Sequence, residues 1–166
     1  MDEYNAALLL LRVAFGLTMA AHGYAKVFKG GKLAGTAGWF DSIGMRPGAV
    51  HARLAAGTEI LAGLGLALGL LTTFSAMGFV GIMLVAGYTV HRASGFFIVS
   101  GGWEYTFILA AAAVGIAMLG PGEWSLDNAL GIHGDLDGWL GLILAAGGGV
   151  VAGVAQLAIF YRPPAD

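Results

Sequence analysis

Two ionisable side chains fall inside apolar stretches of this sequence: Arg12 within residues 4–25 and Glu59 within residues 54–71. Charged groups inside a membrane span are costly and are functional candidates by default. An Arg–Glu pair between adjacent antiparallel helices would offset both burial costs and fix their register, if the two depths match. A proton path or a ligand site is the alternative role. His22 and Lys26 are four residues apart, so on a helix they share one face. His51 precedes the second apolar stretch, His91 ends the third, and Glu104 and Tyr105 open the fourth after Gly101-Gly102-Trp103. All of these fall near one end of the apolar stretches. A His, a Lys and two carboxylates converging there would bind a polar head group and relay protons. Quinone reduction needs this equipment: donors to two carbonyl oxygens and groups that titrate near neutral pH. The candidate catalytic residues are therefore His22, Glu59 and Arg12. The candidate cofactor-binding residues are His22, Lys26, His91, Glu104 and Tyr105. Taken singly, Lys26, His51 and His91 also fit snorkelling or helix capping.

Several other chemistries have less support. A bis-histidine haem between His22 and His91 is the weaker reading, because His22 shares its surroundings with Lys26 and Glu59. Lys29-Gly30-Gly31-Lys32-Leu33 lacks the upstream Gly of a phosphate-binding loop and has Leu33 where Ser or Thr is required. Gly63-Leu64-Gly65 lacks the strand context of a dinucleotide site. No metal-ligand cluster of useful spacing is found, and His133 belongs to an acidic, solvated loop. The chain has no Cys, hence no disulfide, thiolate metal site or redox-active thiol of its own.

The elements that position these residues follow from composition. Of 166 residues, 58% are apolar before the 29 Gly are counted, and only 11% are charged. An ordinary soluble domain carries roughly 25% charged residues. A soluble protein, a disordered tail and a nucleic-acid binder are therefore excluded, and an integral membrane protein in a lipid bilayer is expected. The apolar stretches run over residues 4–25, 54–71, 74–90, 103–120 and 139–160, which predicts five transmembrane helices in a single membrane domain over residues 1–166. Residues 26–53 hold Leu33, Ala37, Phe40 and Ile43 at helical spacing, with Trp39 beside them. That predicts a short amphipathic helix at the membrane interface. The start Met1-Asp2-Glu3-Tyr4 lacks the basic region of a cleaved signal peptide.

The few charges are sorted. Lys26, Lys29, Lys32, Arg46, Arg53, Arg92 and Arg162 fall on one set of connections, and the other set holds Asp2, Glu3, Glu123, Asp127, Asp135 and Asp137. The positive-inside rule then places the N-terminus outside and the C-terminus in the cytoplasm. Small residues punctuate every span and let backbones approach closely. Gly141, Ala145, Gly149 and Gly153 recur every fourth residue in the last span. This stripe suits packing within one bundle or a homo-oligomer seam.

Leu11-Arg12 followed by His22-Gly23-Tyr24-Ala25-Lys26 resembles the first-span signature of the DoxX family of small bacterial membrane proteins. Gly35-Thr36-Ala37-Gly38-Trp39-Phe40, Glu59-Ile60-Leu61-Ala62-Gly63 and Gly69-Leu70-Leu71-Thr72 continue it. So do His91 with Gly95-Phe96-Phe97, Gly102-Trp103-Glu104-Tyr105, and Gly120-Pro121-Gly122 with Trp124-Ser125-Leu126-Asp127. The likeness runs in order over residues 8–128. It implies an all-α, four-helix membrane bundle in a bacterial plasma membrane, to which this chain adds a fifth C-terminal transmembrane helix. It also implies association with membrane oxidoreductase assemblies, since the family includes a thiosulfate:quinone oxidoreductase subunit.

Three functions follow as expectations. The first is a quinone-linked membrane subunit of an oxidoreductase that takes electrons from a redox partner protein. The second is a non-catalytic scaffold of a larger membrane complex. The third is a small-solute or proton conductor built on Arg12 and Glu59.

Overall fold

The computed structural model describes residues 1–132 and 134–163. His133 lies outside the described residues. The chain is an all-α helical bundle: helices make up 79% of it. Its only β pairing among the described residues is an isolated antiparallel bridge between Met45 and Tyr161.

Helix α1 spans Asp2–Phe28 and α2 spans Lys32–Ser42, at the place where an amphipathic helix was expected. Helix α3, Gly48–Leu68, starts six residues before the apolar stretch because its first turn is held from outside the helix. Asp41 Oδ1 accepts the Gly48 N–H at 2.7 Å. It ends at Gly69, whose φ of +63° lets the chain turn back. The Leu70 N–H then reaches the Gly65 carbonyl at 2.8 Å, as in a Schellman turn.

Helix α4, Thr72–Ala86, continues through a π turn, Gly87–His91, and a 3₁₀ turn, Arg92–Ser94. Helix α5 is Glu104–Leu119 and stops at Gly120-Pro121. After a single turn of α6, Leu126–Ala129, the C-terminal helix comprises α7, Gly138–Leu142, a π turn, Ile143–Gly148, and α8, Gly149–Phe160. Three of these helical segments are long and apolar enough to cross a membrane: Asp2–Phe28, Thr72–Ser94 and Gly138–Phe160.

Apolar burial does not drive helices together in lipid, so close packing must. The α1–α3 contact shows how. A Cβ added at Gly16 would sit 2.5 Å from the Gly63 carbonyl oxygen and 2.6 Å from the Ala67 nitrogen. One added at Gly63 would sit 2.6 Å from both the Ala20 nitrogen and the Gly16 carbonyl oxygen. Backbone rests on backbone there, in antiparallel register.

Helix α4 occupies the centre. Ala76 and Phe79 are fully buried with Leu66 of α3 and with Ala113 and Ala117 of α5. A second core joins Phe40 of α2 to Met45, Ala52, Ala55 and Val85.

The small-residue stripe of the C-terminal helix faces this interior. Gly141 abuts the Ala117 carbonyl, Ala145 is fully buried, Gly149 meets Val80, and Gly153 meets Gly81 and Leu84. A homo-oligomer through this stripe is thereby corrected: α4 and α5 of the same chain fill the seam.

Candidate functional site

The α1–α3 register decides where the ionisable residues meet. With Gly16 opposite Gly63, Gly23 falls against Ile60, Ala56 and Glu59. Lys26, one turn further along α1, then reaches Glu59. Its Nζ donates to Oε1 at 2.7 Å and to Oε2 at 2.6 Å. Glu59 is 5% exposed, and the Lys26 side chain is 24% exposed. The carboxylate is thus held in the bundle while the ammonium keeps a path outward along its stem.

Beside this pair, His22 on α1 and Tyr105 on α5 join through Nε2 and Oη at 3.1 Å, with ring centroids 6.0 Å apart. His22 is exposed and Tyr105 half-buried. His22 and Tyr105 both lie within electrostatic reach of Glu59. Four of the expected residues therefore converge: His22, Lys26, Glu59 and Tyr105. They combine a buried carboxylate, an ammonium, and an imidazole–phenol pair that opens to the surroundings. This set offers hydrogen-bond donors together with groups able to take up or release protons.

The other expected residues sit elsewhere. His91 Nδ1 bonds the Gly101 carbonyl oxygen at 2.7 Å, and Glu104 Oε2 accepts the Ile98 N–H at 2.8 Å. Both hold the connection between α4 and α5. His22 and His91, the pair weighed as haem ligands, thus take different partners.

Arg12 does not pair with Glu59. Glu59 stands level with Gly23, which is about 16 Å from Arg12 along α1 at 1.5 Å per residue. Arg12 is instead 1% exposed in the N-terminal half of α1, where Nη2 donates to the Trp124 carbonyl oxygen. Its Nε and Nη1 have no hydrogen-bond partner, and the opposite charge acting on it, Asp127, makes no ion pair with it.

Asp127 belongs by sequence to the acidic set of connections. It is 4% exposed and accepts the Leu71 N–H at 2.7 Å, the Thr72 N–H at 2.9 Å and the Thr72 hydroxyl at 2.7 Å. It therefore caps α4, and its charge acts on Arg12 from beyond ion-pair distance. Asn5 and Glu123 bond reciprocally at 2.9 Å nearby. His51 precedes the second apolar stretch, where snorkelling or capping is expected. It is buried, with Nδ1 against Gln156 Nε2 at 3.0 Å and its ring edge-on to Phe160 at 4.9 Å. A buried His facing the last helix had no signal in local spacing, because its partner is 105 residues away.

Arg12, His22, Lys26, Glu59 and His91 all fall within the part of the chain that a family model matches. The DoxX family model matches residues 7–92, just over half of the chain. The chain belongs to the DoxX family. An uncharacterized protein of Haemophilus influenzae is 28% identical over 100 residues, which is 55% of this chain and 66% of that protein. The match thus spans slightly under two thirds of the relative's length. No solved structure matches. The DoxX region ends at the π turn of α4, so Tyr105, Asp127 and the C-terminal helix lie beyond it.

Proposed function

We propose that this DoxX protein is the membrane-embedded, quinone-binding subunit of an oxidoreductase in a bacterial plasma membrane. The observation that carries this reading is the Lys26–Glu59 pair held beside the His22–Tyr105 pair. Lys26 and the Tyr105 hydroxyl are suited to donate to the two carbonyl oxygens of a quinone ring. His22 and Glu59 are suited to pass the two protons that accompany two-electron reduction to the quinol. The chain has no thiol of its own. The two electrons are therefore assigned to a redox partner protein, docked at the end that carries Lys29, Lys32, Arg46 and Arg53. By the positive-inside rule that end is cytoplasmic, with the N-terminus outside, α3 and α5 completing five spans, and the C-terminus inside.

Binding of ubiquinone-1 to the purified full chain tests the reading. Glu59→Gln is expected to weaken binding about tenfold, because Lys26 loses the carboxylate that positions its ammonium. Tyr105→Phe is expected to weaken it by less. Absence of ubiquinone-1 binding, or equal affinity in the wild type and Glu59→Gln, would sink the quinone site. Co-purification of a stoichiometric partner without quinone binding would point to a scaffold.

A further inference from the structure

The polar cluster uses one side of α5, and the other side borders a groove of about 760 Å³ between α4, α5 and α8. Its walls include Met83, Leu84, Phe107, Val154 and Leu157. Gly87, Ala110 and Ala158 keep the floor low. Along α4 the groove runs from Val80 to Arg92. That is about 18 Å at 1.5 Å per residue, close to the ~15 Å hydrocarbon half-thickness of a bilayer. Two of its walls belong to segments long and apolar enough to cross a membrane. An apolar channel of one-leaflet length in such a wall fits an acyl chain.

The polar end says what the chain would be attached to. The Arg92 guanidinium lies 4.0 Å from the centroid of the Tyr88 ring. It makes no ion pair among the described residues. A guanidinium stacked on a ring keeps its in-plane N–H fork free, and phosphate accepts that fork in a bidentate fashion. Tyr161 stands edge-on to Tyr88 at 5.7 Å, and Trp103 lines the same end. These amphipathic rings suit the head-group level of a membrane. Arg162 follows Tyr161, so the end is cationic and favours a head group without a cation of its own.

We propose that this groove binds one anionic phospholipid, with an acyl chain between α4 and α8 and its phosphate on Arg92. The test is native mass spectrometry of the delipidated full chain, titrated with phosphatidylglycerol and phosphatidylcholine of the same acyl composition. The wild type is expected to bind one phosphatidylglycerol about tenfold more tightly than phosphatidylcholine, as one charge-assisted phosphate contact implies. Arg92→Gln, at an exposed position, is expected to remove that preference, whereas Arg53→Gln keeps it. Val154→Trp fills the groove and is expected to weaken both lipids while circular dichroism stays unchanged. Millimolar inorganic phosphate is expected not to displace the lipid. Equal affinities in the wild type, a preference surviving Arg92→Gln, or displacement by inorganic phosphate would each overturn the proposal. The last result would mark a free-anion site instead.

Discussion

Asp127→Ala is expected to cost about 3–5 kcal/mol of stability, because three donors at the start of α4 lose one carboxylate acceptor, at roughly 1–3 kcal/mol each. Arg12, 1% exposed, would also lose the opposite charge that acts on it from a distance. The Leu71 and Thr72 N–H groups and the Thr72 hydroxyl would lose their acceptor at the same time. Arg12→Met is expected to cost less, because Asp127 would still accept those three hydrogen bonds. The two single variants and the double variant, unfolded by SDS titration in mixed micelles, measure the coupling. If Asp127→Ala is no worse than Arg12→Met, the carboxylate does not hold this end of the bundle together.

The second large effect belongs to the α1–α3 contact. Gly63→Leu is expected to destabilise by more than the ~1–3 kcal/mol typical of overpacking. The added Cβ strikes the Gly16 carbonyl oxygen and the Ala20 nitrogen at 2.6 Å, and backbone cannot step aside as a side chain can. The α1–α3 register would shift, and Lys26 would lose Glu59. Gly57, on the same helix, has nothing within 4 Å of its would-be Cβ. Gly57→Ala is therefore expected to be neutral, or stabilising by about 0.5–1 kcal/mol through helix propensity. Thermal melts of both variants in one detergent separate the cases. Similar losses at the two positions would show that the contact does not depend on backbone approach.

Much of this fold is legible in single residues. The apolar stretches mark the helices, Leu33 to Ile43 mark α2, and the spacing of His22 and Lys26 puts both on one face. Glu59 stands out because a carboxylate within an apolar stretch needs a partner. The identity of that partner is not legible. It depends on which glycines of α1 meet which glycines of α3, and Gly16, Gly23, Gly57, Gly63 and Gly65 allow several registers that composition does not separate. An Arg12–Glu59 pair looks natural until Gly16 is set against Gly63. Asp127 is obscure for a different reason. The surrounding Glu123, Asp135 and Asp137 make it read as one more loop acid. The residues that it serves, Leu71 and Thr72, are 56 and 55 positions upstream. The π turns at Gly87–His91 and Ile143–Gly148 likewise have no local sequence signal that sets them apart from ordinary helix.

The distance between Arg12 and its acceptor in sequence also bears on how the chain is made. Trp124 lies 112 residues after Arg12. At about 5–20 residues per second, the ribosome needs roughly 6–22 s to reach it. During that interval α1 carries a guanidinium with neither Trp124 nor Asp127 yet synthesised. Its seat beside Gly69 exists only once α3 has followed. Until the α6 segment arrives, the first helix therefore bears the cost of an unpartnered guanidinium, about 2.5–3.5 kcal/mol at the bilayer centre.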